Sequence, residues 1–244
     1  MNDKLKVVCL INARSGSKSI PNKNIKKLQG LPLIAWSIKI ALNANCFTKV
    51  FVNTDSKQIA KISESFGAEV PFLRPKKYAT DNSKQIDAIT YFIQKIAKSN
   101  EKFDAVAILQ PTFPLRIVKD ITSCIDKMVR TNADTVITLT KVNNSTLHTL
   151  YKFTNKGHPR PIIKFSNKGT IRQNLPDIYK RVGCVYLIKK KIILKSKSIY
   201  GKNIQSVLID ERRSFDLDSM FDWNLLESWL KFNSKKSWIY ESRK

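Results

Sequence analysis

Arg14, Lys18 and Lys23 fall within one short stretch, Asn12-Ala13-Arg14-Ser15-Gly16-Ser17-Lys18-Ser19-Ile20-Pro21-Asn22-Lys23-Asn24, directly after the apolar run Val7 to Ile11. Three cations among small polar residues read as a place to hold a triphosphate. Backbone N–H groups of a Ser-Gly-Ser turn can approach phosphate oxygens, and charge-assisted bonds from Lys and Arg are about twice as strong as neutral ones. A polar surface loop is the alternative reading of these residues alone. The second constellation is Ser214-Phe215-Asp216-Leu217-Asp218 near the C-terminus. Carboxylates at i and i+2 of an extended segment project to the same side, and such a pair can chelate one hard cation. Mg²⁺ is commonly held by one or two carboxylates together with substrate phosphates, so Asp216 and Asp218 facing Arg14, Lys18 and Lys23 would complete a site for phosphate transfer. The competing reading is that the acidic residues cap and solvate a helix starting near Asp222.

Three further stretches place recognition groups in stiff surroundings. Gln110-Pro111-Thr112-Phe113-Pro114-Leu115-Arg116 follows the apolar run Ala105 to Leu109, and Gln110 offers both a donor and an acceptor between two prolines. Arg74, within Pro71-Phe72-Leu73-Arg74-Pro75, suits planar recognition of a base or a carboxylate. Arg172, within Arg172-Gln173-Asn174-Leu175-Pro176, can clamp a carboxylate bidentately. Each also has a plain reading, as a stiff turn or a solvated arginine.

These groups need a scaffold that collects loops at one end. Strand-like runs at Val7 to Ile11, Val50 to Val52, Ala105 to Leu109, Thr135 to Leu139 and Cys184 to Ile188 are mostly separated by segments of helical period. That alternation predicts an α/β fold with a mostly parallel sheet covered by helices, whose ligands lie beyond the carboxyl ends of the strands. The helices are expected from Pro32 with Leu33/Ile34, Ser37/Ile38 and Ala41/Leu42 inward; after Asp55-Ser56 with Ile59, Ile62 and Phe66 inward; and around Ile86, Ile89, Ile93 and Ile96. A fourth runs from Val118 to Arg130, and a last one carries Trp223, Leu226 and Leu230 on one stripe. Residues 141–176 break the alternation and read as an inserted flap or association arm within a single domain spanning 1–244.

The chain has 244 residues and a formal charge of +25. Lys far outnumbers Arg and is scattered along most elements, and Lys, Asn and Ile share A/T-rich codons, so composition bias accounts for much of the charge. With no nucleic-acid motif, no nucleic-acid partner is expected. Cys9, Cys46, Cys124 and Cys184 form no CxxC pair and read as small buried hydrophobes in a reducing compartment; His148 and His158 are the only histidines. Any metal is therefore held by oxygen. No apolar run is long enough to span a bilayer or to form a signal-peptide core, which predicts a cytoplasmic protein without a membrane partner.

Taken together, the motifs resemble those of the acylneuraminate cytidylyltransferases. The resemblance rests on Ala13 to Asn24, Thr54-Asp55, Phe72-Leu73-Arg74-Pro75, Leu109-Gln110-Pro111-Thr112, Arg172-Gln173-x-Leu-Pro and Ser214-x-Asp-x-Asp, in family order from Val7 to about Glu227. It implies a Rossmann-like fold with an inserted dimerisation arm, a homodimer, and an enzyme that combines CTP with a nine-carbon 2-keto sugar acid. The products are the CMP-sugar and pyrophosphate, with Mg²⁺ required. By the same resemblance Arg14, Ser17, Lys18, Lys23 and Asn24 contact CTP and Arg74 helps read cytosine. Gln110, Arg172 and Tyr186 line the sugar pocket, and Asp216 and Asp218 hold the metal. Arg14, Lys18, Lys23 and Asp218 then carry the catalysis by positioning and charge stabilisation, and no separate base stands out.

Phe113 stands where the family usually has Ser, Val182 where Asn is common, and Ser83-Lys84-Gln85 replaces a run of small residues. Asn144 to His148 replaces a His-Pro-x-Lys stretch. These departures bear on which acid is used, sialic, legionaminic or pseudaminic. Two other classes compete: a metal-dependent nucleotide-sugar glycosyltransferase, disfavoured because its acidic pair normally lies mid-chain, and a basic nucleic-acid-binding protein.

Overall fold

The computed structural model describes residues 5–99, 101–142, 150–162 and 177–233. The first half runs β1 (Val7–Asn12), β2 (Lys27–Leu28), β3 (Leu31–Pro32), α1 (Leu33–Asn43), β4 (Val50–Asn53), α2 (Lys57–Ser65), α3 (Gln85–Lys98) and β5 (Ala105–Leu109). The second half continues with α4 (Val118–Thr131), β6 (Thr135–Val142), β7 (Tyr151–Phe153), β8 (Pro159–Pro161), β9 (Ile178–Lys189), α5 (Lys190–Ser196), β10 (Ile204–Leu208) and α6 (Met220–Phe232). Six strands form the main sheet in the order β10-β6-β9-β5-β1-β4.

Strand β1 is central because it is apolar on both faces. Val7, Cys9 and Ile11 join the cluster under α1, α2 and α4, whereas Val8 and Leu10 join the one under α3. It pairs in parallel with β4 on one side and β5 on the other, so the chain leaves it in opposite directions. That divergence opens a crevice at the carboxyl ends, the place where open α/β sheets bind ligands.

The sheet is parallel as expected except at β9, which runs antiparallel to both β5 and β6. Val142 at the end of β6 pairs with Ile178 at the start of β9, so β9 runs back along β6 between it and β5. Strand β10, parallel to β6, was not expected, since Ile204-Gln205-Ser206-Val207-Leu208 is a half-exposed edge with little apolar signal. Pro32 stands just before α1 and not in its first turn, and Leu42 is exposed although the other stripe positions are buried. Helix α2 starts where Ser56 accepts from the Ile59 N–H. Of the expected arm, the described part is the exposed hairpin β7–β8; Arg172 and His148 lie outside the described residues.

A third apolar cluster joins the two ends of the chain. Ile20 and Leu28 from the segment after β1 meet Trp36 of α1, Leu217, and Trp223, Leu226 and Leu230 of α6. Burial of large side chains contributes roughly 1.5–3 kcal/mol each, so this contact holds the C-terminal acidic segment firmly against the N-terminal loop.

Candidate active site

The cleft beyond β1, β4 and β5 has a volume of about 530 Å³, within the range of small-molecule sites. The cations Arg14, Lys18 and Lys23 line it together with the carboxylates Asp216 and Asp218. Lys23 connects the two directly, donating from Nζ to the carbonyl oxygen of Leu217 at 2.8 Å, between the two carboxylates. Leu217 explains the aim of its neighbours: its side chain is fully buried in the third cluster and its N–H donates to the Thr112 carbonyl, so residues 216 and 218 turn outward. The helix near Asp222, the alternative explanation of the acidic run, is α6, which begins at Met220 and is capped by Ser219 with Asp222 as its capping-box partner. Asp222 accepts from the N–H and hydroxyl of Ser219 while Ser219 accepts in return. Asp216 and Asp218 are left for another task.

Electrostatics single out the same groups. Burial raises the Asp216 carboxyl above the ordinary range; a hydrogen bond from the Thr112 side chain opposes this and the Asp218 charge adds to it. Its Oδ1 is buried and accepts no hydrogen bond among the described residues. An orphaned carboxylate oxygen beside a second carboxylate has the chemistry of a hard-cation ligand. Burial lowers the Lys23 ammonium, with Asp218 and then Asp216 pulling it back.

The cationic loop after β1 is braced by Asp55. Asp55 accepts from both the N–H and the hydroxyl of Ser15, at 2.9 and 2.6 Å, and the Ser17 N–H donates to the Ser15 carbonyl. Those two amides, expected to approach phosphate, are thus already used, leaving the cations as the principal anion donors. Asn24 also lines the cleft, but its Nδ2 donates to the Arg14 carbonyl at 2.9 Å and so orients Arg14. Ser17 lies in the wall.

Arg74 is buried against the ends of β1 and β4. Its Nε donates to Asn53 Oδ1 and its Nη2 to Asn12 Oδ1 and the Asn53 carbonyl, and burial lowers it to about 10. Two of its three nitrogens therefore hold the ends of β1 and β4 together. Gln110 and Tyr186 also line the cleft. Burial raises the Tyr186 hydroxyl, with Arg181 opposing.

Sequence reasoning missed Asn12, Asp81 and Arg181 in this wall. Asn12 ends β1, and its position alone could have found it; its Nδ2 is buried without a partner among the described residues. Asp81 lies in a loop without periodicity, yet it pairs with Arg14 at 2.7 Å and Lys18 at 2.6 Å. Arg181, whose guanidinium lies 5.7 Å from the ring centres of Tyr186 and Tyr200, is hidden by a bulge in β9. A step from Ile137 to Thr138 on β6 spans Tyr186 to Val182 on β9, which inverts the alternation that would put Arg181 and Tyr186 on opposite faces.

A polar cleft at the switch point of a mostly parallel sheet, lined by clustered cations and two carboxylates, is the arrangement that nucleotide-binding phosphoryl-transfer proteins use. Comparison with known proteins narrows the class: a family model described as Cytidylyltransferase matches residues 8–157. The CMP-N,N'-diacetyllegionaminic acid synthase of Legionella pneumophila is 32% identical over 95% of this chain and 99% of its own length. The post-translational flagellin modification protein B of Campylobacter coli is 31% identical over 92% of this chain and 95% of its own. The chain belongs to the cytidylyltransferase family. Its fold matches a structure of CMP:2-keto-3-deoxy-manno-octonic acid synthetase complexed with CTP, with a TM-score of 0.71 at 16% identity, covering 93% of this chain and 99% of that one.

Proposed function

We propose that the chain transfers CMP from CTP to the anomeric hydroxyl of a nine-carbon 2-keto sugar acid of the sialic acid class, releasing pyrophosphate. The observation that carries this reading is the Lys23 to Leu217 bond, which brings the cationic loop and the acidic pair into one cleft. Arg14, Lys18 and Lys23 bind the phosphates and stabilise charge moving onto pyrophosphate. Arg74, already fixed by Asn12 and Asn53, presents its remaining Nη1 donors to the base. Gln110 and Tyr186 form the acid-binding end, and Arg172 serves the substrate carboxylate. The orphaned Asp216 Oδ1 and the neighbouring Asp218 fit Mg²⁺. When bound, Mg²⁺ supplies neutralisation of phosphate charge and Lewis-acid polarisation. In-line attack then depends chiefly on holding the acid's hydroxyl against the α-phosphorus. The enzyme works as a homodimer through the arm of residues 141–176, in the cytoplasm; among the described residues no helix is long and apolar enough to cross a membrane.

Pyrophosphate release is measured with CTP and Mg²⁺ against a panel of nonulosonic acids, with N,N'-diacetyllegionaminic acid tested first. Turnover with at least one acid and none with CTP alone is expected, and Asp218→Asn should lower it on the order of 100-fold. Absence of turnover across the panel would overturn the substrate class, and an Asp218→Asn rate within a few-fold of wild type would overturn the metal assignment.

A further inference from the structure

Arg116 closes the Gln110 to Arg116 segment, and its side chain is 0% exposed. Burying a cation costs several kcal/mol unless its donors are well used, and here they are. Nε donates to the Cys184 carbonyl, Nη1 to the Ser37 hydroxyl at 3.0 Å, and Nη2 to the carbonyls of Gln110 at 3.0 Å and Gly183 at 3.4 Å. These carbonyls belong to two strands that part company at this point. Gln110 lies just past the end of β5, and Gly183 and Cys184 lie in the bulge where β9 slips its register on β6. The same bulge is held from the opposite side by Thr138, whose hydroxyl donates to the Val182 or Val185 carbonyl and accepts from the Val185 N–H. A planar fork of five donors in fixed geometry suits joining several carbonyls and a hydroxyl at once.

What this brace holds is the floor of the cleft. The Gln110 side chain lies over the bare face of Gly183, where a Cβ would sit 1.8 Å from Gln110 Oε1 and 2.7 Å from its Cδ. The Gln110 N–H also donates to the Gly183 carbonyl at 3.3 Å. Gln110 and Gly183 both line the cleft, but Arg116 does not.

We infer that Arg116 is a positioning residue for acid binding: its guanidinium locks the end of β5 to the β9 bulge and thereby seats the Gln110 carboxamide over Gly183. The inference rests on the acid-binding role proposed for this end of the cleft. Arg116 touches neither substrate, so its effect passes through Gln110.

Arg116→Lys keeps the charge but loses the fork. Gly183→Ala keeps every donor and acceptor of the brace and displaces the Gln110 side chain, chiefly its Oε1 and Cδ, with Gln110 Cβ 3.2 Å from the added methyl; its backbone is not in the left-handed region. Steady-state KM values for CTP and for the acid are measured in wild type, in both variants, in Gln110→Ala and in the two double variants. Each of Arg116→Lys and Gly183→Ala should raise the KM for the acid about tenfold with the KM for CTP within about twofold, and neither should add to Gln110→Ala. Equal rises in both KM values, or effects that multiply with Gln110→Ala, would overturn the inference. If Arg116→Lys does not fold, Gly183→Ala and the milder Ser37→Ala decide: a rise confined to the acid KM supports the inference, and an unchanged acid KM refutes it. Failure of the functional reading looks different, since the wild type would then release no pyrophosphate with any acid.

Discussion

Asp81 holds both Arg14 and Lys18, so a carboxylate stands where phosphate oxygens are expected to bind. CTP must break these contacts, and Asp81→Asn should therefore lower the KM for CTP about two- to five-fold, because exposed ion pairs are individually weak. The hydrogen bonds from Lys18 and then Arg14 hold the Asp81 carboxyl below its usual range. A carboxyl depressed in this way contributes its pairing above the unfolded pKa near 4 and loses it only as pH falls through its folded value. The effect of Asp81→Asn should consequently be equal at pH 6 and pH 8; an unchanged KM, or one that differs between those pH values, would show that Asp81 is not the competitor. At this scale the sequence made residue types legible and their present partners much less so. The cationic loop and the acidic pair announce their chemistry by type and spacing. That Ser15 is committed to Asp55, or Asn24 to the Arg14 carbonyl, depends on contacts between distant segments that no local pattern encodes.

Leu217 separates the two carboxylates and anchors them through the cluster shared by Ile20, Leu28, Trp36 and α6. Truncating it should cost about 2–5 kcal/mol of stability, the usual range for a large-to-small change at a well-packed site. It should also lower activity more than an equally destabilising change elsewhere in the core, because the aim of Asp216 and Asp218 depends on it. Thermal melts and turnover of Leu217→Ala beside Ile121→Ala, a buried position in α4, check this, and equal activity at equal stability would refute it. Elements were largely readable. Of the helical stripes Ile86, Ile89, Ile93 and Ile96, and Ile121, Cys124, Ile125 and Met128, all lie buried as their period predicts except Ile86 and Ile125, which are half-buried. The antiparallel sense of β9 and its bulge were not readable, because alternation reports which face a residue takes but neither strand direction nor an extra residue.

For the whole molecule, the formal charge of +25 gives no functional signal by itself, whereas its local arrangement does. Asp216 and Asp218 are a minority charge set directly against Lys23, and they raise its affinity for a proton while burial lowers it. Such opposed charges in one cleft are stable together when a polyanion and a divalent cation enter as a pair. Binding of the two must then be coupled, and the coupling is reciprocal. The most direct test is calorimetric titration of CTP into wild type and into the Asp216→Asn/Asp218→Asn double variant, each with and without Mg²⁺. Mg²⁺ should strengthen CTP binding to the wild type at least about tenfold, a coupling of about 1.4 kcal/mol, and should add little beyond its effect on free CTP in the double variant. Equal strengthening in both proteins would contradict the bridging of the N-terminal loop and the C-terminal acidic pair by one metal-nucleotide complex.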